Sequence, residues 1–295
     1  MIKVSVIAPV YNEQLYLSQM LESLVQQDHR DWEILLVDDG STDDTARIIE
    51  EWSARDPRIK TVSLGEKLGK VAAFNRAFEA ATGDLICHVG GDDTLPRNSL
   101  SERVRALNGA PELSVALGKL QVVDAENQPV GSPIPRGANG SQSSPGATYS
   151  RKLADLIFPV PTVLPSEDIW LGNAAVACSK KVIHMRSAVI NYRIHPNNSN
   201  PRHKPFKAMS RAMSERLEAY HLLLNSSLPI GVESRRKFQM FATAEQLRYE
   251  GATLRIVSLR GLPLVDRVAI ASMSNPVLWT VRQHLGVLAT GWRGK

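Results

Sequence analysis

The sequence predicts an α/β fold, a mostly parallel central sheet flanked by helices, with a helical C-terminal extension. Three observations carry this. Through residues 1–110, short apolar runs that stop at turn residues alternate with segments of helical periodicity. That alternation is the pattern of a parallel sheet covered on both faces. Two of the runs end in paired carboxylates, Asp38-Asp39 and Asp92-Asp93, where open α/β sheets bind their ligands. Beyond His195 the periodicity turns wholly helical.

Residues 3–8 read as a strand ended by Pro9, and Glu13 to Gln27 as a helix with Leu17, Met20, Leu21 and Leu24 on one face. Residues 33–37 form a second strand, after which Ser41 or Thr42 caps a helix that buries Ile48 and Ile49. A third strand (59–64), a third helix (Gly69 to Ala80) and a fourth strand (84–89) follow. Pro96 to Leu107 is helical and Leu113 to Val123 is a strand. Residues 124–147, rich in Gly, Ser, Pro and Asn, read either as a flexible loop over a site or as a hairpin. A short helix spans 150–158, Ser166 caps another, and residues 182–185 and 189–194 are expected as two strands. The last helices are placed at 205–226, 232–260 and 276–289.

Composition narrows the class. Hydrophobic content of 43% with 22% charge is globular. Two cysteines in apolar surroundings suggest no disulfide framework, and the chain opens directly on a strand without a secretory leader, so a cytoplasmic location is expected. Residues 1–199 hold four more acids than bases, while 200–295 hold nine more bases than acids. A basic tail of this kind is either a solvated helical surface or a docking surface for an anionic partner. No Gly-x-Gly-x-x-Gly follows the first strand and no Walker A sequence occurs, which counts against a dinucleotide and a P-loop ATPase. Nucleic acid is disfavoured by 6% aromatic content and by the absence of a binding motif.

The stretch Gly90-Gly91-Asp92-Asp93 is the focal one. Adjacent anions repel, and a divalent ion bridging to a diphosphate would satisfy them; a solvated turn is the plain alternative.

Several stretches together resemble one family. Residues 4–13, Val37-Asp38-Asp39-Gly40-Ser41-Thr42-Asp43, Gly69-Lys70 with Ala73-Phe74-Asn75, Gly91-Asp92-Asp93, Glu167-Asp168 and Tyr192-Arg193-Ile194-His195 are similar, in order, to the motifs of family 2 glycosyltransferases. The resemblance covers about residues 1–200, ordered as the motif logic requires. It implies the GT-A nucleotide-sugar fold: a nucleotide-sugar-binding half at 1–110, an acceptor half at 111–200 with a mobile loop at 124–147, and a basic helical region at 201–295. One departure stands out, since Gly90 occupies the first position of the Asp-x-Asp motif.

The resemblance implies inverting transfer of a sugar from a nucleotide-diphosphate sugar, a UDP-sugar first, to a glycan or lipid-linked acceptor in polysaccharide or lipopolysaccharide assembly. Pro9, Tyr11, Glu13 and Asp39 would meet the nucleotide, with Lys70 and Arg193 toward the phosphates. Asp92 would hold Mg²⁺ or Mn²⁺, with Asp93 beside it and His195 as a further ligand. Asp168 would take the acceptor's proton and Glu167 would support it; without the resemblance both read as first-turn acids of a helix. The basic C-terminal helices would rest on the inner face of the cytoplasmic membrane or pack on the catalytic domain. A non-catalytic nucleotide-sugar binder of the same fold is the alternative, favoured by Gly90 alone.

Overall fold

The computed structural model describes residues 2–195 and 205–290. The chain divides into two compact units, residues 1–194 and 195–295. The boundary expected at 200 lies outside the described residues.

The first unit is built on one seven-stranded sheet in the order β3-β2-β1-β4-β6-β5-β7. Its strands are β1 (Val4–Val10), β2 (Trp32–Asp38), β3 (Ile59–Ser63), β4 (Leu85–His88), β5 (Ser114–Val123), β6 (Ala147–Ser150) and β7 (Lys181–Arg193). Helices α1 (Leu17–Val25), α2 (Thr45–Arg55), α3 (Lys70–Glu79), α4 (Ser99–Leu107), α5 (Arg151–Ile157) and α6 (Asp168–Cys178) connect them. All pairings are parallel except those of β6 with β4 and β5. The mostly parallel α/β sheet expected from the sequence is therefore present.

The core follows from the period of two along each strand. Val4, Val6 and Ala8 of β1, Ile34 and Leu36 of β2, and Leu85 and Cys87 of β4 share one cluster with Leu17, Met20, Leu21 and Leu24 of α1 and Ile49 of α2. The alternate residues face the other way, where α3 lies; there Phe74 packs its ring on His88, centroids 4.5 Å apart.

Several boundaries differ from expectation. Pro9 sits within β1 and pairs with Val37. The β4 register ends at Ile7–His88, so beyond it the missing proline N–H leaves no ladder bond unmade. Neither Ser41 nor Thr42 caps α2. Its N-cap is Asp44, and Asp43 instead accepts from the Thr45 N–H at 3.0 Å. The two strands expected near 182–194 are one strand, β7, with register shifts against β5. Residues 124–147 fold back along β5, with reciprocal bonds between Leu120 and Ile134 of 2.8 Å, before the chain enters β6.

The second unit is helical: α7 (Phe206–Asn225), α8 (Val232–Tyr249), α9 (Thr253–Ser258), α10 (Leu264–Ala271) and α11 (Pro276–Thr290). The helix expected over 232–260 is broken at Gly251, whose φ of 76° is the left-handed conformation that ends helices. Tyr220 stacks on Phe241 between α7 and α8, and buried Arg248 is held by Glu245 and Ser210. No helix among the described residues is long and apolar enough to cross a membrane.

Candidate functional site

The candidate site lies at the carboxyl ends of β1, β2 and β4, neighbours in the sheet that all point the same way. Their outgoing loops are tied together. Asn12, with φ of 55°, receives the Thr42 N–H on its Oδ1 at 2.8 Å, and its own N–H reaches Ser41 Oγ at 2.9 Å. The Glu13 N–H donates to Thr45 Oγ1 at 2.8 Å. These bonds fix Tyr11, which is exposed, and Glu13, which is half-buried, at the mouth of the strand ends, with Pro9 half-buried just before them.

Asp39 is 5% exposed, and its Oδ1 accepts the N–H groups of Leu68 and Gly69, each at 2.7 Å. The other oxygen lies 3.1 Å from Lys67 Nζ. A carboxylate offers about four lone-pair sites, so capacity for a further donor remains. Lys67 also stands over the Tyr11 ring, 3.5 Å from its centroid. Sequence reasoning missed Lys67 and chose its neighbour Lys70. It also missed Asp38, which is fully buried and holds the Ser41 N–H at 3.0 Å.

At the end of β4 the two carboxylates are unequal. Asp93 is 2% exposed and accepts the Arg193 N–H at 2.9 Å. Burial first, and then the charge of Asp92, hold its carboxyl well above the usual range. Asp92 is half-buried. Glu13 approaches this pair, and its pKa is pushed up to about 8 by burial, then by Asp92 and Asp43. The glycines make the approach possible. A Cβ at Gly91 would fall 2.7 Å from Glu13 Cγ, and one at Gly90 would fall 2.7 Å from Asp92 Oδ1.

Among the described residues no three His, Cys, Asp or Glu side chains converge as a preformed metal cage. The donor chemistry nevertheless suits a hard divalent ion. Glu13 and Asp92 are neighbouring oxygen donors, and a divalent ion would replace the proton that burial and the charge of Asp92 hold on Glu13.

Arg193 is fully buried. Its guanidinium donates to the Asp92 carbonyl at 2.7 Å, to the Ala125 carbonyl and to Gln19 Oε1 at 2.9 Å, and lies over the Tyr16 ring. It thus braces the Gly90–Asp93 turn from beneath. His195, half-buried, is the first residue of the second unit.

The expected catalytic pair sits at the start of α6. Glu167 is the N-cap residue, 2% exposed, and Asp168 is the first helical residue, half-buried, accepting from Ser166 Oγ at 2.8 Å. Lys70, the first residue of α3, reaches Glu167 Oε2 at 3.1 Å. The structure therefore joins the Gly-Lys and Glu-Asp segments directly. Trp170 points into the core and donates its indole N–H to the Ile157 carbonyl at 2.9 Å.

Residues 5–154 match the family model described as glycosyl transferase family 2. An uncharacterized glycosyltransferase of Nostoc sp. is 27% identical over 67% of this chain and 66% of its own length. A putative teichuronic acid biosynthesis glycosyltransferase, TuaG of Bacillus subtilis, is 37% identical over 34% of this chain and 40% of its own. The chain thus spans between two fifths and two thirds of the length of these curated relatives. Among solved structures, S. aureus TarS 1–349 in complex with UDP-GlcNAc superposes with a TM-score of 0.61 at 20% identity, over 95% of this chain and 83% of that one. The mannosyltransferase PcManGT from Pyrobaculum calidifontis, in complex with GDP-Man and Mn2+, gives 0.60 at 20% identity, over 98% and 85%. These likenesses place the fold in the GT-A class.

Proposed function

This chain belongs to glycosyl transferase family 2, and from that premise we propose that it moves a sugar from a nucleoside diphosphate sugar to an acceptor hydroxyl, with inversion, in the assembly of a cell-surface polysaccharide or lipopolysaccharide. The observation that carries the reading is a pair of carboxylate groupings: Glu13 with Asp92 and Asp93 at the carboxyl ends of the central strands, and Glu167-Asp168 at the start of α6, anchored by Lys70. Two anionic centres of different character suit a reaction that must neutralise a leaving diphosphate and deprotonate an alcohol.

Tyr11 offers a face for the base, and Asp39 accepts from the base or ribose. Lys67, which sequence reasoning overlooked, presents a cation at the same mouth. Pro9, half-buried near the end of β1, would border the nucleotide beside them. Asp92 and Glu13 would hold a divalent ion, Mg²⁺ or Mn²⁺, as PcManGT is seen with Mn2+. When bound, such an ion acts as a Lewis acid toward the departing diphosphate. Asp168 takes the acceptor proton, with Ser166 orienting its carboxylate. Glu167 and Lys70 fix the helix start from which Asp168 projects. One base facing one leaving group gives a single displacement, hence inversion.

UDP-sugars are the first donors to test, because TarS is seen with UDP-GlcNAc. A glycan or lipid-linked acceptor and a cytoplasmic site on the inner membrane face complete the reading. Exposed Leu254, Val265, Val268 and Val277 accompany exposed Arg255, Arg260 and Arg282 in the second unit, a mixture suited to an anionic lipid surface. Gly90 favours a second reading, a nucleotide-sugar binder without turnover. The test is release of nucleoside diphosphate from a panel of nucleotide sugars with Mn²⁺ or with chelator. Metal-dependent turnover of at least one donor supports transfer; binding without turnover supports the second reading.

A further inference from the structure

Three buried side-chain polar atoms without a hydrogen-bond partner gather in one region: His88 Nδ1, Tyr149 Oη and Glu167 Oε2. The register brings the first two together. Tyr149 of β6 pairs with Ile86 of β4, so it shares a sheet face with Ile86 and with His88 two residues on. On that face His88 packs against Phe74 of α3. Lys70 lies one helical turn before Phe74 and reaches Glu167. The 3.1 Å contact between Lys70 Nζ and Glu167 Oε2 is an ion pair whose angles fall short of a hydrogen bond, so that oxygen still lacks a donor.

Exposures of 9% for His88, 1% for Tyr149 and 2% for Glu167 exclude bulk water as the partner. A buried hydroxyl or carboxylate left unmatched is costly, and a native fold pairs such groups with protein or with enclosed water. Lys70 on α3 is the charged neighbour on this face, while Arg103 lies across the sheet, bonding the Ala147 carbonyl and Thr148 Oγ1 on β6. Burial, then Lys70, then Arg103 lower the His88 pKa to about 3, so the imidazole is neutral and offers one donor and one acceptor.

We propose that Tyr149 and His88 are positioning residues that fix the Glu167 carboxylate against Lys70 through one shared enclosed water. The idea rests on the glycosyltransferase reading and deepens it, because neither residue touches substrate and both act through Glu167. The Tyr149 O–H donates toward the Glu167 carboxylate, and the His88 nitrogen completes the water's bonds. Glu167 then holds the first turn of α6 in place.

Tyr149→Phe removes only the hydroxyl. It is expected to lower kcat about tenfold with the donor KM within about twofold, a loss confined to the transition state. In a Glu167→Gln background the same change has no further effect. An unaltered kcat in Tyr149→Phe overturns the proposal, even where thermal stability falls. Imidazole ¹⁵N shifts, with His88 assigned by its loss in His88→Phe, read the network without turnover. If no donor is consumed, the glycosyltransferase reading fails, yet a His88 shift that moves in Tyr149→Phe still supports the network. A shift that stays fixed overturns it.

Discussion

Lys70 Nζ lies 3.1 Å from Glu167 Oε2, joining the first turn of α3 to the residue that caps α6. Glu167 is nearly inaccessible, while Lys70 keeps about half its side chain in water. Removing the lysine therefore strands a buried carboxylate. Lys70→Met is expected to cost about 1–2 kcal/mol in denaturant unfolding, solvent screening of the half-exposed lysine keeping the figure low. Turnover falls with it, because the start of α6 loses its anchor. Lys70→Arg recovers part of both; unchanged stability and turnover in Lys70→Met would show that the pair is incidental.

Gly90 and Gly91 set the shape of the carboxylate cluster. A Cβ at 90 meets Asp92 Oδ1 at 2.7 Å and Asp93 Oδ2 at 3.1 Å; one at 91 meets Glu13 Cγ at 2.7 Å and Val10 Cγ1 at 3.0 Å. Gly91→Ala is expected to cost about 1–3 kcal/mol, the usual range for overpacking, and to reduce turnover by displacing Glu13. Gly90→Asp adds a fourth carboxylate to the cluster, so it lowers stability without divalent ions and gains more stability from Mn²⁺ than the parent does. Thermal unfolding with Mn²⁺ and with chelator measures both. Equal melting shifts on adding Mn²⁺ would separate this turn from any metal.

Glu13 supplies a pH signature. Its folded pKa, about 8, lies above the 4.5 of an ordinary glutamate. Between those values the folded chain binds more protons than the unfolded one, so this group's contribution to stability falls as pH rises through the window. Glu13→Gln should flatten that decline. A cation at Asp92 and Glu13 must displace the proton, so Mn²⁺ affinity is expected to rise with pH up to about 8 and to release protons, measurable by calorimetry in buffers of different ionisation enthalpy. A pH-independent affinity would remove Glu13 from the metal.

Much of this architecture was legible in the chain because its signals are local. Strand–helix alternation and strand-end carboxylates are visible in short windows, and the family motifs follow in order. What escaped depends on pairings between distant segments. Lys67 reaches Asp39 and Tyr11 only through the loop after β3, held by the Asp39 bonds to Leu68 and Gly69. Tyr149 acquires its place from a four-residue strand inserted antiparallel between β4 and β5. The α2 cap was misplaced because Ser41 is drawn to Asp38 and the Thr42 N–H to Asn12. Arg193 reads in sequence as a partner for a site Asp or a phosphate, or as a strand-edge charge, yet three acceptors from separate segments enclose its guanidinium.

The central claim is that Asp168 deprotonates the acceptor of a glycosyl transfer. The most direct measurement compares the parent chain with Asp168→Asn on a donor that the parent consumes, following nucleoside diphosphate release and donor binding together. Asn keeps the size of the side chain and its contact with Ser166 while removing basicity. The account predicts a fall in kcat of about a hundredfold or more, the range of general base catalysis, with donor Kd within about twofold. Turnover retained in Asp168→Asn, with the same donor and acceptor, would contradict it.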